Sequence, residues 1–162
     1  MERPRYKETG KETFFGNFIY DRVVPKQHFL RQLDEMIDWE KYSELIISLY
    51  KGEGMAGRPP YNPVILLKMQ LIAYLYNLSE RDTETYVDEN IPAKNFVGLA
   101  VDEKAPDHST LTVFRERLIK RGKVLQPIVL VFIVASNQDY FSINLFDFHF
   151  YSPIIYVYKI RM

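Results

Sequence analysis

The sequence predicts an all-α fold: a compact domain of five or six helices, followed by a C-terminal tail that reads as irregular, strand-like or disordered. Three observations predict it. Apolar side chains recur three and four residues apart through most of the chain between Pro25 and Arg121, which is the helical period. Prolines, glycines and capping side chains punctuate that pattern where helices would start and stop. No clear strand pattern and no internal repeat interrupts it.

Residues 1–20 are polar with scattered aromatics and read as an irregular N-terminal arm. Pro25 opens a first helical pattern carried by Phe29, Leu30, Leu33, Met36 and Ile37, because a first-turn proline loses no helical N–H bond. Trp39, Tyr42, Leu45, Ile46 and Leu49 continue it into a second helix. KGEGMAGRPPY then breaks the pattern, with three glycines and two prolines. Asn62 caps and Pro63 starts the next helix. Its run PVILLKMQLIAYLYN is apolar on nearly every face, interrupted by Lys68 and Gln70, so it reads as the central buried helix. Ser79 caps another helix, with Asp82 at the capping-box spacing and Tyr86 and Val87 on its inner face. Ile91-Pro92 opens a short segment that ends at Phe96, Gly98 and Leu99. After the polar loop VDEKAPD, either Asp107 or Ser109 caps a last helix, in which Leu111, Phe114 and Leu118 form an inward stripe. Gly122 can end it.

This divides the chain into an arm at 1–20, a helical domain at 21–123 and an apolar tail at 124–162. Of 21 basic and 21 acidic residues, the tail holds only Asp139, Asp147, Lys159 and Arg161. Its longest apolar run, Ile128 to Ala135, is far short of the roughly 20 residues that span a bilayer, so no membrane role is expected. The balanced charge gives no global attraction to nucleic acid, so DNA binding would need locally sorted charge. The absence of cysteine excludes disulfides and thiolate metal sites, and suits a cytoplasmic location.

The candidate chemistry is sparse. His28, His108 and His149 are far apart, and none has a second ligand at helical spacing, so no metal is expected. The adjacent pair Asp107-His108 reads as a helix cap rather than a ligand pair. Ser79 and Ser109 lie at helix starts without a nucleophile motif around them. The glycine-rich loop lacks the Gly-Lys-Ser/Thr ending of a phosphate loop. The basic residues are the open case. Arg58 precedes the central helix, Arg81 lies in a first turn, and Arg115, Arg117, Lys120, Arg121 and Lys123 crowd the last helix, with Glu116 the only acid among them. Ser109, Thr110 and Thr112 add hydroxyls. Such groups contact phosphates. They also make an ordinary solvated helix face, and the charges alone leave both readings open.

A family resemblance weighs on that choice. Gly57-Arg58-Pro59, Pro63 with its apolar helix, Tyr76-Asn77-Leu78-Ser79 with Arg81, Phe96 with Gly98-Leu99, and Pro106-Asp107-His108-Ser109-Thr110-Leu111 with Phe114-Arg115 and Arg117-Leu118 occur in order. VPKQHFLRQLDEMIDW precedes them. Together, from about residue 12 to about residue 121, they resemble the N-terminal domain of bacterial insertion-sequence transposases of the InsH type. The resemblance implies a helical domain that helps grip the element's terminal inverted repeats; a homo-oligomer, or mixed oligomers with intact transposase, is a separate expectation for such a chain. It also implies a following ribonuclease-H-like domain whose DDE carboxylates hold Mg²⁺. Here the sequence departs from the family. After Lys123 only Asp139 and Asp147 remain as carboxylates, too few for that triad. The chain is therefore expected to be a truncated transposase: not itself an enzyme, needing no cofactor, and binding DNA through Arg58, Arg81, Ser109, Thr110, Thr112, Arg115, Arg117, Lys120 and Arg121. The Phe, Ile, Tyr and Asn bias of the tail is that of AT-rich DNA read in an unselected frame, so a frameshift or rearrangement near codon 123 is expected, with a programmed frameshift as its rival. The alternative functions are a protein-interaction module and a nonfunctional pseudogene product.

Overall fold

A computed structural model of the chain describes residues 6–7, 14–47 and 60–120. These form seven helices and no strand among the described residues: α1 (Phe14–Val23), α2 (Phe29–Met36), α3 (Trp39–Ile47), α4 (Pro63–Leu75), α5 (Glu80–Glu89), α6 (Ile91–Val97) and α7 (His108–Lys120). The all-α expectation is met. The glycine-rich loop, Arg58, Arg121, Gly122 and the tail lie outside the described residues.

α4 is the hub. Asn62 accepts the Val64 N–H and Pro63 fills the first turn, as the sequence predicts. Ile65, Leu66, Leu67, Met69, Leu71, Ile72 and Leu75 are all buried, and α3, α5, α6 and α7 pack around them. A helix apolar on every side is stable only when neighbours cover every side. Lys68 is buried too, although the sequence marked it only as an interruption. Its ammonium pairs with Asp34 of α2 and lies 4.5 Å from the Trp39 ring centre and 5.3 Å from that of Phe96. The aromatic faces and the carboxylate together offset the loss of water.

The N-terminal region departs from expectation. α1 starts inside the segment expected to be an irregular arm. Burial of Tyr20 and Val24 anchors it, and the Tyr20 hydroxyl donates to the Leu99 carbonyl at 2.6 Å. Burial, then the charges of Glu103 and Asp102, push the Tyr20 phenol up to about 12. Among the α1 residues whose burial is described, Tyr20 alone is buried, so little helical period marks the segment. Pro25 also does not start a helix. It lies in a turn closed by the His28 N–H donating to its carbonyl at 3.0 Å. α2 begins four residues later, where His28 Nδ1 accepts the Leu30 N–H at 3.2 Å. Arg31 then ties the two helices, donating to the Val24 carbonyl at 3.0 Å and to Asp21 at 2.5 Å.

The short segment after Ile91 is a full helix. Asn90 caps it by accepting the Ala93 N–H at 3.0 Å, and Gly98 ends it at φ 95°, a left-handed value that glycine adopts without a Cβ clash.

Candidate nucleic-acid interface

The sequence-predicted interface residues centre on α5 and α7, and a row of three carboxylates positions those helices. Glu80, Glu84 and Asp88 follow one another at four-residue spacing, so they line one side of α5. Each engages a successive stretch of the chain running the other way. Glu80 meets Thr112 and Arg115, Glu84 meets His108, and Asp88 accepts the Ala105 N–H at 2.8 Å. Hence α5 and α7 pack antiparallel, and the loop before α7 is fixed by the same row. Lys94 reinforces that loop, donating to the Val101 carbonyl at 3.0 Å and lying 3.8 Å from Asp88.

The start of α7 is capped by Asp107. Its Oδ1 accepts the Thr110 N–H at 2.9 Å and the Ser109 hydroxyl, while Oδ2 accepts the Thr110 hydroxyl at 3.2 Å. The Ser109 hydroxyl and then the Thr110 N–H hold the Asp107 carboxyl below its ordinary range. This decides between the two caps that the sequence allowed. It also places a negative charge where the helix N-terminus would attract a phosphate. Ser109 and Thr110 thus have their hydroxyls turned to Asp107.

His108 is held by one carboxylate oxygen. Glu84 Oε2 accepts the His108 backbone N–H and contacts Nδ1, both at 2.8 Å. The bond to the imidazole, then that to the backbone, holds the Glu84 carboxyl below its ordinary range. No group of three His, Asp or Glu side chains that could hold a metal ion occurs among the described residues.

The basic residues of α7 divide between two faces. Leu111, Phe114 and Leu118 are buried against the core. Thr112 and Arg115 turn toward α5. The Thr112 hydroxyl lies within reach of Glu80 Oε2 and, at 3.0 Å, of the His108 carbonyl. Arg115 Nε lies 3.1 Å from Glu80 Oε1. Both atoms are buried, and they meet as opposite charges without hydrogen-bond alignment. Val113, Arg117 and Lys120, spaced by four and three residues, share the outward side. Val113 and Lys120 are exposed, Arg117 is half-buried, and Lys120 lies 3.8 Å from Glu116 on that helix. Arg81 is exposed on the first turn of α5, the turn that Glu80 sets against the middle of α7. The structure therefore brings Arg81, Thr112 and Arg115 into one neighbourhood, with Arg117 and Lys120 further along α7. Ser109 and Thr110 sit at its other end.

Sequence reasoning passed over the carboxylate row. The signal was present as Glu80, Glu84 and Asp88 at i, i+4 and i+8 beside a basic helix, but it reads equally as a solvated face until the antiparallel neighbour is known.

The family model described as Transposase domain (DUF772) matches residues 18–117, from within α1 to the last third of α7. No solved structure matches the chain.

Proposed function

We propose that this chain, which belongs to the Transposase domain (DUF772) family, serves transposition by binding DNA through the α5–α7 pair. The finer reading is that it grips the terminal inverted repeats of an insertion sequence of the InsH type. One observation carries it: Arg81, Arg115, Arg117 and Lys120 gather on two antiparallel helices within a transposase domain. Basic side chains of this kind neutralise backbone phosphates and set register on a duplex.

Capping by Asp107 makes the flank of α7, rather than its N-terminus, the contact surface. The outward row Val113, Arg117 and Lys120 faces the duplex in this reading, and Arg81 on the first turn of α5 adds a further cation. In this reading the chain binds DNA without catalysing strand transfer. Binding needs no divalent ion, because side-chain cations and not a carboxylate-held metal meet the phosphates. A fluorescence-anisotropy titration of the 162-residue chain with an inverted-repeat duplex, in EDTA, tests it. Arg117→Ala with Lys120→Ala should weaken binding and lower the salt slope by about two. Unchanged affinity removes this face from the interface.

The second reading is an oligomerisation module. The exposed apolar side chains Phe18, Ile19 and Val23 on α1 favour it. Light scattering that shows a stable dimer without DNA affinity would select it.

A further inference from the structure

We infer that Glu80 acts as an internal competitor for phosphate, holding Arg115 and Thr112 against α5 and so setting the DNA affinity of the α7 surface. This rests on the DNA-binding reading and adds its regulation.

Three observations carry it. First, both oxygens of one carboxylate engage groups that otherwise suit a phosphate: Oε1 lies 3.1 Å from Arg115 Nε, and Oε2 accepts from the Thr112 hydroxyl. A carboxylate and a phosphate present similar charge and acceptor geometry to a guanidinium. Secondly, the Glu80–Arg115 pair is poorly made. Glu80 Oε1 and Arg115 Nε are buried but lack hydrogen-bond alignment, so each keeps part of its desolvation cost without the full return of a charged hydrogen bond. A phosphate oxygen with better alignment can take the guanidinium over. Thirdly, release has somewhere to go. The Arg115 side chain keeps 36% of its surface exposed, whereas that of Glu80 keeps 20%, so the arginine side chain as a whole borders solvent more than the glutamate that holds its buried Nε.

Glu84 and Asp88 continue the row but differ in kind. Besides contacting His108 Nδ1 and Lys94, they hold the backbone at His108 and Ala105, which fixes the loop before α7. Glu80 instead engages Thr112 and Arg115 through their side chains, so the control is assigned to it.

The test is a double-mutant cycle on the full chain, read by anisotropy with a duplex at two salt concentrations. Glu80→Gln keeps the shape and removes the charge. It should tighten binding about three- to tenfold and raise the salt slope by about one, as one more cation becomes available. In an Arg115→Ala background the same substitution should change affinity less than twofold. Glu80→Asp, which withdraws the carboxylate by one methylene, should give a smaller tightening and serves if the glutamine variant folds poorly. Affinity that stays the same or falls in both Glu80 variants overturns the inference. Equal tightening with and without Arg115 also overturns it, since that is a general charge effect. Wild type that binds duplex while the cycle fails leaves the DNA-binding reading standing. No binding by wild type or any variant at low salt overturns both.

Discussion

Glu84 Oε2 lies 2.8 Å from both the backbone nitrogen and Nδ1 of His108, so one oxygen fixes the first residue of α7 to the middle of α5. The contact joins two helices that the sequence treats separately.

The first prediction concerns acid. The bonds from His108 hold the Glu84 carboxyl below its ordinary 4.5. A depressed carboxyl contributes stability that is fully present above its unfolded value and is lost as pH falls through the folded one. Thermal melts of wild type should therefore lose midpoint temperature steadily as pH drops below about 4.5. Glu84→Gln should be less stable than wild type at pH 7 and show a shallower decline in acid. Parallel pH profiles for the two proteins would show that the contact contributes nothing.

The second concerns the cap of α7. Asp107 satisfies the Thr110 N–H and orients two hydroxyls. Asp107→Ala should cost about 1 kcal/mol, and Asp107→Asn, which keeps an accepting oxygen, clearly less. Urea unfolding followed by circular dichroism measures both. Equal losses would mean that charge rather than cap geometry sets the contribution.

The third concerns packing. Phe114 is fully buried on the inward stripe of α7. Phe114→Ala should cost about 3–5 kcal/mol. Val113→Ala, one residue away on the exposed side, should stay within about 0.5 kcal/mol. A large loss at Val113 would mean that something covers the outward side of α7.

The fourth concerns the buried ammonium. Lys68 pairs with Asp34 between Trp39 and Phe96. Lys68→Met keeps the stem and removes the charge. It should cost about 1–3 kcal/mol, because the Asp34 carboxylate loses its ammonium partner in a half-buried place. Stabilisation instead would show that the ion pair is a net cost that an apolar side chain relieves.

Much of the fold was legible in the sequence, and the reason differs by element. Asn62-Pro63 and Ser79 announce helix starts through local chemistry, and the structure uses each cap as read, while Asp82 accepts from the Ser79 hydroxyl. Leu111, Phe114 and Leu118 repeat with the helical period and are buried. α1 is hard to read because Tyr20 is the one buried residue among those of the helix whose burial is described, and its partner Leu99 is far away in sequence. The true start of α2 was missed because a histidine, not the proline, supplies the capping acceptor. The candidate interface was legible in composition but not in arrangement. Arg115 and Arg117 are two residues apart, yet one turns toward α5 while the other lies on the outward side with Lys120. That division follows from where α5 packs, which no local pattern specifies. Arg58 and Arg121 belong to the same set of candidates and lie outside the described residues.

Binding to the inverted repeat is tested most directly by a competition titration of the full chain between a duplex bearing the element's terminal inverted repeat and a scrambled duplex of equal length and composition, at two salt concentrations. A preference for the repeat is expected at both salts, with affinity for both duplexes falling as salt rises. Equal affinity for the two duplexes at both salts, or no binding at low salt, would contradict it.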